Sequence, residues 1–283
     1  MSRWLNSLGA EAGVRFGATF AVRVRAKLSA LPQLRGALWS RHVLWLDNEG
    51  ARLHGASGRP LCKAVIHSPG DVASALDAVD AALPGIGTRG LHRIVVVVGG
   101  AFVCHFTLPW KPLPRPGDWL AAARTRFVMD GLGAPDGWRF TVPDGRWGCS
   151  RLVAAMPEAL CAGIARLCTK RRLRLSAIEP AFTHAVSRHR SRIEDGPIAI
   201  VEIEDGAGGR AVAHVGFRND RQWTGFIALP ATAPLEHVLR DAALLCRAMP
   251  LQRTYLIAPA DMQAALSGLP GAHWLPASAT GMP

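Results

Sequence analysis

Cys104 and His105 set a thiol and an imidazole side by side, the two groups a nucleophile–base pair needs. They fall in an apolar stretch, 102–108, with the character of a strand. Neighbouring strand residues point to opposite faces, so these two cannot exchange a proton. His184 and Arg188 lie one helical turn apart, and Cys161 and Cys168 two turns apart. Packing or surface roles explain both spacings better than metal ligation does. The chain has no Gly-x4-Gly-Lys-Ser/Thr loop, no His-Glu-x-x-His and no Gly-x-Ser-x-Gly. Gly85-Ile86-Gly87 with Gly90 precedes a strand, which is the wrong setting for a dinucleotide. Asp71, Asp77 and Asp80 read as a helix cap and a solvated helix face. These patterns give no catalytic, cofactor-binding or metal-binding residue.

Cations are the chemistry that does cluster. The net charge is +12, and two segments carry it. Residues 1–41 hold seven Arg or Lys against one Glu, and residues 166–192 hold eight against one. Local positive charge suits an acidic partner or an anionic membrane surface. Nucleic acid is disfavoured because the second run lacks aromatics for stacking. The expected partner-binding residues are Lys170, Arg171, Arg172, Arg174, Arg188, Arg190 and Arg192. They would form one basic face if a strand at 173–178 and a helix at 181–193 are adjacent.

The elements that must position these groups follow a repeat. His42 to Leu46 is an apolar strand, Asp47-Asn48-Glu49-Gly50 an acidic-glycine turn, and 51–55 a second strand. The pattern returns at 197–204, at the turn Glu204-Asp205-Gly206, and at 210–215. Each unit continues into a helix (71–83, then 234–248) and an apolar strand (91–98, then 254–258). A hairpin, helix and strand written twice predict a two-lobed α/β fold made by duplication. Val95 to Val98 before Gly99-Gly100 reads as a strand buried on both faces. Between the units the sequence predicts a strand at 102–108, a proline-stiffened linker and a helix at 118–132. Strands at 138–142 and 149–156 join at an Asp144-Gly145 turn, and a helix follows Pro157 with Leu160, Ile164 and Leu167 on one face. Residues 268–283, rich in Gly, Pro, Ala and Ser, read as a frayed end, and 1–40 as a peripheral helical arm.

No uncharged run reaches the roughly 18 residues needed to cross a bilayer. The N-terminus lacks the compact apolar region of a signal peptide. Six cysteines without a Cys-x-x-Cys pair suit free thiols in a reducing cytoplasm.

Three stretches carry a resemblance: Val95-Val96-Val97-Val98-Gly99-Gly100 running on to Thr107-Leu108-Pro109; Ala121-Ala122-Ala123-Arg124-Thr125-Arg126-Phe127; and 173–182, Leu173-Arg174-Leu175-Ser176-Ala177-Ile178-Glu179-Pro180-Ala181-Phe182. With the element order over about 42–260, the chain resembles the actin-like superfamily. It is most similar there to the pilus-assembly PilM proteins and the cytoplasmic domain of the type II secretion L protein. The resemblance implies a ribonuclease H-like lobe repeated twice. It divides the chain into a basic arm at 1–41, a first lobe with an inserted α/β subdomain at 42–192, and a second lobe with its tail at 193–283. Nucleotide-binding members hold ATP between two acidic-glycine hairpins and a late Gly-Gly turn, where N–H groups cradle phosphate. This chain departs at all three places. Glu49 adds charge in the first turn. Glu202, Glu204 and Asp205 crowd the second. Pro259, in Ala258-Pro259-Ala260, removes a donor from the third. The resemblance therefore implies no nucleotide cofactor and a cytoplasmic assembly platform at the inner membrane. Its partner would be an inner-membrane assembly protein or a secretion ATPase. An actin-like ATPase or sugar kinase with a divergent site is the alternative, and a peripheral protein held to the membrane by its basic N-terminus is a third reading.

Overall fold

The computed structural model describes residues 39–55, 58–83, 91–204, 211–232, 234–259, 263 and 271–277. Of the basic arm expected at 1–41, residues 1–38 lie outside them, and Trp39 to Arg41 belong to the first strand. The first lobe begins with β1 (Trp39–Leu46), β2 (Gly50–His54), β3 (Pro60–Val65), α1 (Val72–Ala82) and β4 (Leu91–Val98). An insertion follows: β5 (Cys104–Leu108), α2 (Pro116–Met129), β6 (Trp138–Thr141) and β7 (Arg151–Pro157). The lobe closes with α3 (Glu158–Lys170) and β8 (Arg174–Pro180), and α4 (Ala181–Arg188) leads out of it. The second lobe is β9 (Ile198–Glu204), β10 (Val212–Asn219), β11 (Gln222–Pro230), α5 (Leu235–Cys246), β12 (Arg253–Ala258) and β13 (Ala272–Pro276).

The two main sheets share one strand order, β3-β2-β1-β4-β8 and β11-β10-β9-β12-β13. In each, the first three strands form an antiparallel meander and the fourth and fifth add in parallel. The same order with the same directions in both halves is the two-lobed, internally duplicated actin-like fold. The valine run sits at the centre of the first sheet, as its composition demands. Ile94, Val96 and Val98 face α1 and α3, while Val95 and Val97 face the other side. Asp71 caps α1 by accepting from Ser74 N at 2.8 Å. Gly163 lets α3 close on α1, because a Cβ there would overlap the Leu76 side chain.

Helix α4 packs between the lobes. Ala181 packs with Val43, Val95 and Val97 of the first sheet. Phe182, Ala185 and Val186 pack with Ile198, Ile200, Tyr255 and Ile257 of the second. The insertion forms its own three-stranded sheet, β5-β7-β6, over a core of Phe106, Phe127, Phe140 and Val153.

Four expectations need correction. The meanders have third strands, β3 and β11, that periodicity does not reveal. The connection between β6 and β7 spans 142–150, wider than a tight Asp144-Gly145 turn. The helix from Ala181 stops at Arg188, where His189 caps it and binds Pro276 O through Nε2 at 3.0 Å. The C-terminal stretch contains β13, which pairs with β12 and buries Leu275, because an apolar run beside an open parallel edge completes the sheet. Residues 278–283 lie outside the described residues.

Candidate functional site

Strands β1, β4 and β9 end at one place, and their ends form a polar seam between the lobes. Asp47 closes β1. Its Oδ1 accepts from the N–H groups of Glu49 and Gly50, both at 2.9 Å, and its Oδ2 pairs with Arg52. Burial pushes the Asp47 carboxyl up, against the pull of Arg52 and the two N–H groups. Gly99 and Gly100 close β4. Glu204, the last residue of β9, accepts from Gly100 N–H through Oε2 at 2.6 Å. His214 Nε2 of β10 lies 3.3 Å from the same oxygen. A Cβ on Gly99 would overlap Glu204 Oε1, and one on Gly100 would overlap the His214 ring, so only glycine admits this approach.

Two further titratable groups back the seam. Burial pushes the Glu202 carboxyl up to about 8, against the opposing charge of His214, so it is held protonated at neutral pH. His105 of β5 is pushed down to about 3 by burial, and its ring lies 4.8 Å from that of Phe226. Burial works against the His214 cation too, but its bond to Glu204 and that carboxylate's charge hold its pKa above the usual value. Glu204 Oε1 and His105 Nε2 are buried without a hydrogen-bond partner.

The seam bears directly on nucleotide. A phosphate at such hairpins is held by backbone N–H groups. Here the first hairpin's donors at Glu49 and Gly50 already serve Asp47. Pro259, just past β12, has no N–H to give. The residues present do not fit a Mg-nucleotide in this arrangement. The tip of the second hairpin, with Asp205, lies outside the described residues. No group of three metal-ligating side chains occurs among the described residues.

The seven expected partner-binding cations fall in two places. Lys170 and Arg171 end α3 and turn toward α1. Arg171 donates to Asp80 Oδ1 from Nη2 at 2.8 Å, and Lys170 Nζ stands 3.7 Å from Asp80 Oδ2. The Arg171 hydrogen bond holds the Asp80 carboxyl below its usual range, so Asp80 is a paired residue rather than a merely solvated one. Arg172 and Arg174 are exposed at the start of β8, and Arg190 and Arg192 are exposed beyond α4. Arg188 is half-buried. It lines a pocket with Arg41, Trp45, His54, Glu179 and His184 on the first sheet. His184 Nδ1 lies 2.7 Å from Glu179 Oε2.

Cys104 and His105 do face opposite ways: Cys104 packs toward α2 and His105 toward the second lobe. Cys161 and Cys168 are buried, and burial pushes the Cys168 thiol up to about 11. Sequence reasoning missed His214, Arg41 and Arg93, and considered His105 only as a neighbour of Cys104. The turn at Asp47–Gly50, the Gly99-Gly100 pair and the acid cluster around Glu204 pointed to the seam.

No protein-family model matches the chain, and no curated protein matches it. Several solved structures are similar. The cytoplasmic domain of EpsL, an inner-membrane component of the type II secretion system of Vibrio cholerae, aligns at TM-score 0.49 with 9% identity, over 86% of this chain and 90% of that one. A Bacteroides thetaiotaomicron protein of actin-like ATPase fold and unknown function aligns at 0.49 with 7% identity, over 86% and 93%. A chain of the PilM–PilN type IV pilus biogenesis complex aligns at 0.47 with 14% identity, over 82% and 86%.

Proposed function

We propose that this chain is a non-catalytic assembly platform of a type II secretion or type IV pilus-like machine, cytoplasmic and working beside the inner membrane through a membrane-protein partner. One observation carries the reading: Asp47 takes the Glu49 and Gly50 N–H groups of the first hairpin, the donors a nucleotide phosphate there would need. Glu204 of the second lobe then joins the two lobes through the Gly100 N–H of the first. Such a body serves by presenting surfaces, and its cations leave it suited to an acidic partner. Among the described residues no helix is long and apolar enough to cross a membrane.

The test is co-purification of the chain, expressed in its own host, with the inner-membrane components of that host's secretion or pilus machinery, alongside a phosphate-release assay. Recovery of such a component with no phosphate release supports the platform. Steady Mg-dependent release that Asp47→Ala abolishes would establish the ATPase instead.

A further inference from the structure

Three arginines stand abreast on the first sheet. Register places Arg41 of β1 beside Arg93 of β4, and Arg93 beside Arg174 of β8. In-register parallel partners project from the same face, and Arg41 lies on the face of Val43 because residues two apart on a strand point the same way. All three are exposed, and no salt bridge among the described residues engages them. Neighbouring strands are about 4.8 Å apart, and like charges directly abreast destabilise a sheet. Among the described residues nothing relieves this cost to folding. At its Arg41 end the row adjoins the pocket between α4 and Gly58, which Arg41 lines with Val43, Trp45 and Val95. Arg188 also lines the pocket, and the acid there, Glu179, is engaged by His184.

We propose that the Arg41–Arg93–Arg174 row and its adjoining pocket bind an acidic linear peptide, one carboxylate at the row and an apolar side chain against Trp45. The proposal rests on the platform reading and names its kind of partner. Charge complementarity requires an anion. Shape then selects among anions: a recess between a helix and a turn admits a narrow chain, whereas a bilayer surface is broad and cannot enter it. The apolar wall beside the cations also fits a side chain better than a bare headgroup.

The experiment uses the full chain and a fluorescein-labelled peptide alternating glutamate and leucine. Controls are the same peptide with lysine for glutamate, and vesicles of phosphatidylcholine and phosphatidylserine in equal parts. Binding is read by anisotropy and by flotation at physiological salt. The Glu-Leu peptide should bind, and R41E/R93E/R174E should weaken it by roughly a hundredfold. That variant should gain the Lys-Leu peptide, a reversal no misfolded protein shows. R190E/R192E should bind the Glu-Leu peptide as wild type does. As a second check, Arg93→Gln should raise the melting temperature by about 1–2 °C through relief of the row. Undiminished Glu-Leu binding by the triple variant, no binding by wild type, or row-dependent binding to vesicles alone would each overturn the proposal. None of these would disturb the platform reading if the host partner still co-purifies. Phosphate release would sink that reading while leaving the peptide result standing.

Discussion

Gly100 shows how tightly one position can be determined. Its N–H joins the lobes through Glu204, and the space a Cβ would take is filled by His214. Gly100→Ala should cost about 1–3 kcal/mol, the usual range for overpacking a closed site, read from urea midpoints at constant slope. A change within a few tenths would mean the seam yields freely. Glu202 makes a second prediction. Its carboxyl rises from 4.5 in the free side chain to about 8 in the fold. The folded chain therefore binds more protons than the unfolded one between those values, and stability falls as pH rises from about 4.5 to 8. His214, also raised, adds a loss of the same sign as pH climbs above its ordinary value of 6.5. Glu202→Gln should remain neutral throughout, flattening this fall and raising the melting temperature most at pH 8. Equal pH profiles for the two proteins would place the Glu202 charge outside the folding balance. The acid cluster of this seam was visible in the sequence. Its partner was not, because Glu204 and Gly100 are 104 residues apart and nothing local joins them.

Helix α4 matters out of proportion to its eight residues. Phe182 is buried in the second lobe's core while its neighbour Ala181 packs into the first. Phe182→Ala should cost about 3–5 kcal/mol and turn one melting transition into two, as the lobes lose their shared core. A single transition of unchanged midpoint would show the lobes coupled elsewhere. The strands that sequence reading found and missed divide on physical grounds. The β4 valines announce burial on both faces. β3 lies at a sheet edge with nearly every side chain exposed, so Leu61, Lys63 and Val65 carry no alternation. The β10–β11 hairpin turns at Asp220 and Arg221, both with positive φ, where Asn-Gly would have signalled it. β13 hides in a Gly- and Pro-rich tail and becomes a strand only because β12 offers a parallel edge.

At the scale of the molecule, duplication yields two lobes whose strand ends meet, and in this chain carboxylates fill the meeting place. Element order made that architecture legible, since hairpin, helix and strand recur along the sequence. The basic face was legible only as charge. Folding separates Lys170 and Arg171, tied to Asp80, from the row of Arg174 with Arg93 and Arg41, a grouping that strand register alone creates. The central claim is that Glu204 and Asp47 stand where a Mg-nucleotide would be held. Its most direct test is the melting temperature of the full chain with and without millimolar Mg-ATP. A ligand at about a hundred times its dissociation constant would stabilise the fold by roughly 2.7 kcal/mol. The filled seam predicts no shift; a clear, saturable rise would show that the seam opens to nucleotide and would contradict the account.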